Sequence, residues 1–314
     1  TARSRGLGDV YKRQILNIIL DPIFIFDLES LGGFGFGLGI AGAAMATVIS
    51  QVVVFIVFIF MLFFKNHSYI SFNLSDFTFS TDIIWDIIKV GLPASLSMIV
   101  MAVGQGVFNK ILVHISVNTV AAYQVAGRLD MLVFLPIFSI AASLTTLVGM
   151  FYGAKEYGAL RYIIKYGIFS ALLITIISST IVYTFAGHVV RFFTDDASIV
   201  IIAVNFLQIF AFAYPFISVG ITTGRVLQGL GKGLPVLIIT IVRVLGVSAP
   251  LALFFVFIMD KTVEWVWYSM MLSTIVAFGI GLTWLISTLK TLPTSGQSLN
   301  NCLLYTSPSP RDLA

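Results

Sequence analysis

Apolar stretches long enough to cross a bilayer recur along almost the whole of this chain, and nothing constrains its fold more. A spanning helix needs about 20 apolar residues. Backbone groups surrounded by lipid must be satisfied within the segment itself, so a run of this kind has to be helical unless it closes into a barrel. The runs cover residues 15–26, which looks cut short, then 37–64, 86–114, 119–153, 162–188, 197–229, 234–258 and 264–289. Eight helices are expected, in an all-α, polytopic membrane fold. Hydrophobic residues make up 58% of the chain and charged ones 10%, a balance that excludes an ordinary soluble domain.

Lys and Arg collect on the cytoplasmic side of short loops, which sets the orientation. Lys65, Lys89, Lys155, Arg161, Lys165, Lys232 and Lys290 fall on one side; only Arg191 and Lys261 fall on the other. The first span therefore ends outside and the last ends inside. The longest connection, 65–85, is polar with interleaved Ile70, Phe72, Leu74, Phe77 and Phe79. It reads as a cytoplasmic linker lying along the membrane surface, and a domain boundary is expected there.

The two ends read differently from the rest. Ser4–Gln14 can be encoded by a DNA stretch whose reverse complement, read one base in, encodes Cys302–Arg311. Two strands of one element bracketing an open frame resemble a sequencing adapter, so residues 1–14 and 302–314 are expected to be artefact and 15–301 the biological insert. Five of the 18 basic residues (Arg3, Arg5, Lys12, Arg13, Arg311) and two of the 14 acidic ones (Asp9, Asp312) lie in these ends. The remainder is close to neutral, so the basic balance implies no nucleic-acid partner. The only cysteine, Cys302, lies there too, which leaves no disulfide, redox or thiolate metal site in the insert.

Asp21 is the residue most in need of a function, because it lies in the apolar segment Ile15–Phe26. An Asp near the centre of a spanning helix costs about 2.5–3.5 kcal/mol, so such acids pair, line a wet cavity or bind an ion. Asn17, four residues earlier, shares its helix face. Pro22 has no N–H to give the carbonyl of Ile18. Together they form an oxygen-rich pocket. Gly37, Gly39 and Gly42 match a GxGxxG pattern, but a dinucleotide site needs a strand before it. Here small residues open a membrane helix and are expected to permit close packing. Thr47 follows on that helix, where a Thr usually bonds back to its own turn. Asp21-Pro22 has a weak echo in Ala249-Pro250, each followed by an apolar stretch, an acidic outer loop and another span.

Asn17-x-x-x-Asp21-Pro22-x-Phe24, Gly42-Ala-Ala-x-Ala-Thr47, Gly91-Leu-Pro93-Ala-Ser, and Ala121-Ala-Tyr-Gln-Val-Ala-Gly127-Arg128-Leu-Asp130 through Pro136 resemble the multidrug and toxic compound extrusion (MATE) transporters. The resemblance covers essentially the whole insert. It implies twelve helices in two lobes of six, with residues 15–64 as the last two helices of the first lobe. Residues 86–290 would be the second lobe, 291–301 a C-terminal tail, and four helices would be missing. It also implies cation-coupled antiport, by sodium or protons, exporting amphipathic and mostly cationic compounds by alternating access. No other cofactor, resident metal or enzymatic activity is expected; a monomer in the lipid bilayer of a prokaryotic plasma membrane is.

By the same resemblance Asn17, Asp21 and Thr47 match a first-lobe cation site, whose fourth residue, an Asp on the first helix, is not in this sequence. The second-lobe acids of other members find no counterpart: Tyr214 matches the tenth-helix Tyr, but Ser218 stands where its acid would be. Polar residues at membrane depth, Gln105, Asn109, Tyr123, Gln124, Arg128, Asp130 and Tyr214, are candidates to line a substrate cavity, with Arg243 beside them. Lys110 and His114 sit near a span end and are expected to snorkel to the interface. Arg128 and Asp130 are two apart on a helix and so need different partners. The alternative, a lipid-linked saccharide flippase of the same wider superfamily, calls for a cavity rich in Arg and Lys. Lys110, Arg128 and Arg243 are too sparse to favour it. An intramembrane enzyme finds no HExxH, facing aspartate pair or Gly-x-Ser with a usable His.

Overall fold

Each apolar run is a helix in the computed structural model, which describes residues 16–27, 35–64 and 80–293. The helices are α1 (Leu16–Ile25), α2 (Gly39–Phe64), α3 (Thr81–Ile115), α4 (Val117–Gly153), α5 (Tyr157–Arg191), α6 (Ala197–Gly229), α7 (Leu234–Ile258) and α8 (Glu264–Lys290). Seven are long and apolar enough to span a bilayer, and α1 is a shorter apolar helix. The adapter-like ends and most of the linker, 65–79, lie outside the described residues. Residues 81–85, expected in the linker, are instead the start of α3. Ser80 caps that helix by accepting from the N–H of Ile83 at 3.5 Å.

The chain divides into two compact units, residues 1–79 and 80–314. In the first, α1 returns into α2 through a turn where Phe36 N–H donates to Ile23 O at 2.8 Å and Leu38 N–H to Phe24 O at 3.0 Å. Gly37 and Gly39 adopt φ of +61° and +55°, which only glycine takes without strain. Gly42 presses its Cα onto α1: a Cβ built there would lie 2.1 Å from the carbonyl oxygen of Phe24. Gly42 thus serves the close packing expected of it, while Gly37 and Gly39 serve a turn instead.

In the second unit α4 and α6 run side by side in the same direction, and polar bridges tie them at three depths. Asn118 donates to Ser198 Oγ at 2.8 Å, Tyr214 to Asp130, and Thr145 Oγ1 to the carbonyl of Arg225 at 3.3 Å. Interhelical hydrogen bonds of this kind act as glue where lipid removes the hydrophobic driving force between helices. At the C-terminal end of α6 Gly229 brings the backbones together, 2.7 Å separating a Cβ built there from Thr145 O. Two buried clusters flank the mid-membrane bridge. One contains Phe206, Phe210, Tyr214 and Trp267; the other contains Leu144, Val148, Leu160, Val226 and Leu285. Large apolar side chains such as Phe169, Ile176 and Ile201 face outward, the arrangement lipid requires.

Helix α7 is not uniform. Its hydrogen bonding widens to π register over Val242–Ser248 and Phe254–Ile258. Pro250 has no N–H for the carbonyl four residues back, and the N–H of Ala249 reaches Val244 O instead.

Candidate functional site

Asn17 and Asp21 lie one turn apart on α1, and Asn17 Nδ2 donates to Asp21 Oδ1 at 2.9 Å. That bond leaves the amide oxygen of Asn17 and the second carboxylate oxygen of Asp21 uncommitted to each other. Both side chains are half-buried. Thr47, on α2 of the same unit, donates its hydroxyl hydrogen to Ala43 O at 3.0 Å. This is the back-bond expected of a membrane Thr, and it leaves the Thr47 oxygen able to accept. No hydrogen bond joins Thr47 to Asn17 or Asp21 among the described residues, so what the structure brings together is the α1 pair. Chemically the arrangement offers carboxylate, amide and hydroxyl oxygens, which suit a hard cation or a proton-linked hydrogen-bond network.

The cavity candidates of the second unit separate into two groups. Asn109 and Gln124 are linked, Gln124 Nε2 donating to Asn109 Oδ1 at 3.4 Å, while Gln105 and Arg128 are exposed. Asp130 points the other way and accepts from the hydroxyl of Tyr214, which is wholly buried. Arg128 and Asp130 therefore do not share a partner, as their spacing requires. Tyr123 stacks on Trp267 at 5.8 Å between ring centroids and meets Phe206 edge-on at 5.7 Å. Its hydroxyl lies within electrostatic reach of both Asp130 and Arg243. Lys110 and His114 are exposed near the end of α3, and His114 stacks on Phe257 at 4.6 Å.

Several features of this region were not visible in the sequence. Arg243 lies in the π segment with Nη2 2.7 Å from Met101 Sδ. The hydroxyl of Ser179 donates to Ala211 O. Four buried polar atoms, Asn205 Oδ1, Ser218 Oγ, Thr223 Oγ1 and Trp267 Nε1, have no partner among the described residues. Of these only Ser218 had been singled out, as the residue standing where a second-lobe acid would be. Pairings between distant helices carried no signal. Among the described residues no group of three or more His, Cys, Asp and Glu side chains is placed to hold a metal ion.

Comparison with known proteins gives one family throughout. The MatE family model matches residues 93–254. The Thermotoga maritima "Probable multidrug resistance protein NorM" is 28% identical over 260 residues, 80% of this chain and 54% of that protein. The Staphylococcus aureus "Multidrug export protein MepA" is 32% identical over 218 residues, 69% of this chain and 46% of that protein. The chain spans about half the length of these curated relatives. Among solved structures, MATE in the straight conformation superposes with a TM-score of 0.84 at 31% identity, over 93% of this chain and 64% of that one. A MOP superfamily transporter from Pyrococcus furiosus gives a TM-score of 0.82 at 32% identity, over 93% and 64%.

Proposed function

Given that the chain belongs to the MATE family of transporters, and is a multi-pass plasma-membrane protein rather than an enzyme, we propose that it is part of a cation-coupled multidrug antiporter. It exports amphipathic, mostly cationic compounds by alternating access, as a monomer. The observation that carries the coupling is the hydrogen-bonded Asn17–Asp21 pair inside an apolar helix. A carboxylate is kept at such depth, against its cost, when binding an ion repays it. Ion entry is driven downhill: each charge moved inward across the membrane gains about 2.3 kcal/mol per 100 mV. Exchange follows if one conformation cannot hold both the ion and the drug. Asp21 then carries a sodium ion or a proton, with Asn17 and Thr47 supplying neutral oxygens. Gln105, Asn109, Gln124 and Arg128 provide the polar lining that meets the substrate.

The test is Asp21→Asn in the completed transporter. Efflux of ethidium driven by an imposed sodium or proton gradient is expected to be lost, while the protein still inserts. Coupled efflux that survives the substitution would sink the assignment of the ion site to α1.

A further inference from the structure

A second carboxylate inside an apolar helix is Asp130, half-buried in the other unit. Counting from the start of α4, where Asn118 bonds Ser198, twelve residues at 1.5 Å each place Asp130 about 18 Å along the helix. Tyr214 donates to Asp130 Oδ1. The Tyr214 ring is held from two sides, by Phe134 edge-on at 5.4 Å and by Phe210 at 6.4 Å, so its hydroxyl has one place to point.

Among the described residues Asp130 has no ion-pair partner, and its one side-chain bond is that from Tyr214. The charged and titratable groups that face it are few. Tyr214 comes from α6, Tyr123 lies two turns away on α4 itself, and Arg243 comes from α7, acting on Tyr123. The facing stretch of α5, residues 171–182, contains no titratable side chain, nor does α3 over 93–109. Arg243 spends its closest contact on a neutral thioether.

The pair also has two self-consistent states. An ionised Asp130 accepts the Tyr214 hydrogen. A protonated Asp130 carries its hydrogen on Oδ2, while Oδ1, now a carbonyl oxygen, still accepts the Tyr214 hydrogen. The bond from Tyr214 is kept in both states. Gly127, one turn before Asp130 on α4, is exposed and has no heavy atom within 4 Å of where a Cβ would stand, so the surface beside it is uncovered.

We propose that Asp130, hydrogen-bonded by Tyr214 and reached through the space beside Gly127, is a second proton-exchanging site, in the C-terminal unit and separate from the Asn17–Asp21 pair. A proton enters beside Gly127, adds to the free carboxylate oxygen Oδ2 and turns the anion into a neutral acid; release reverses the step, and the net charge of the unit changes by one. A metal ion is the poorer occupant, because hard cations take about six or more oxygens and the gap offers one carboxylate and one phenol. The role of this site in transport rests on the reading above; its protonation does not.

The experiment is pH-difference infrared spectroscopy on the full chain in lipid nanodiscs, which needs no transport. A carboxylic-acid C=O band whose intensity follows pH is expected. It should vanish in Asp130→Asn, persist in Asp21→Asn, and change both frequency and midpoint in Tyr214→Phe, where the acid loses its partner. If Asp130→Asn does not insert, Asp130→Glu keeps the charge and must move the band. A band unaltered by both Asp130 substitutions, by Tyr214→Phe, or absent from the parent chain overturns the proposal. Ethidium efflux separates the two readings. A flat spectrum with efflux intact removes this site alone, and a titrating band without efflux removes the transport reading alone.

Discussion

Gly42→Ala should disrupt the first unit more than a single methyl group ordinarily does. The added Cβ would stand 2.1 Å from Phe24 O, 2.5 Å from Phe24 C and 3.0 Å from Ile25 N. All three are backbone atoms of the α1 end and its exit, so no rotamer change relieves them. Ordinary contact begins at 3.4 Å, and the two helices must part by the difference, about 1.3 Å. Overpacking costs about 1–3 kcal/mol, and a backbone obstacle puts this case at the upper end. About 3 kcal/mol is more than a hundredfold in the folded-to-unfolded ratio. The same shift moves Asp21 relative to Thr47 by several times the ~0.2 Å tolerance of an ion–ligand distance. Ion affinity should therefore fall together with stability. The control is Gly106→Ala on α3, where no heavy atom lies within 4 Å of the new Cβ. Denaturation of the helical signal in detergent micelles, with sodium binding measured alongside, checks both. The reasoning fails if Gly42→Ala unfolds at the same denaturant concentration as the parent and Gly106→Ala.

Two further outcomes follow from the second unit. Asp196 caps α6, and hydrogen bonds from the Ser198 hydroxyl and from the N–H groups of Ser198 and Ile199 hold its carboxyl below the usual carboxylate range. A lowered folded value means the cap is at full strength above the unfolded value near 3.9 and is lost as pH falls through the folded one. Asp196→Ala should accordingly speed hydrogen exchange at Ser198–Val200 at neutral pH, with the difference from the parent disappearing in strong acid; equal protection at neutral pH would contradict it. Ser218→Ala should be neutral or stabilising by up to about 1 kcal/mol, because it removes a buried hydroxyl that has no partner among the described residues and whose desolvation is uncompensated. A clear loss of ion coupling in this variant would return a cation site to α6 at the very position where the expected acid is replaced.

What the sequence disclosed about this molecule is what a single residue must cost wherever its neighbours fall. Asp21 and Pro22 are expensive in any membrane helix, so their presence alone marked a candidate, and Asn17 was paired with Asp21 by helical spacing without reference to another element. The long apolar runs fixed the helices in the same way, to within a few residues; the start of α3 at Thr81 was missed because Ser80 is a capping residue inside a polar segment that resembled a linker. Asp130 is the opposite case. It was grouped as polar at depth with Gln105, Asn109, Tyr123, Gln124, Arg128 and Tyr214, yet nothing in the sequence paired it with Tyr214, 84 residues away on a different helix. Periodicity assigns a side chain to a face of its own helix but not to the helix that face meets. Arg243 was named as a cavity candidate, but its contact with Met101 was hidden for the same reason, and doubly so, since the π register over Val242–Ser248 rotates the face that regular spacing would assign to it. Two carboxylates of equal cost in an apolar segment thus differ in how legible they are, according to whether the partner is one turn or one helix away.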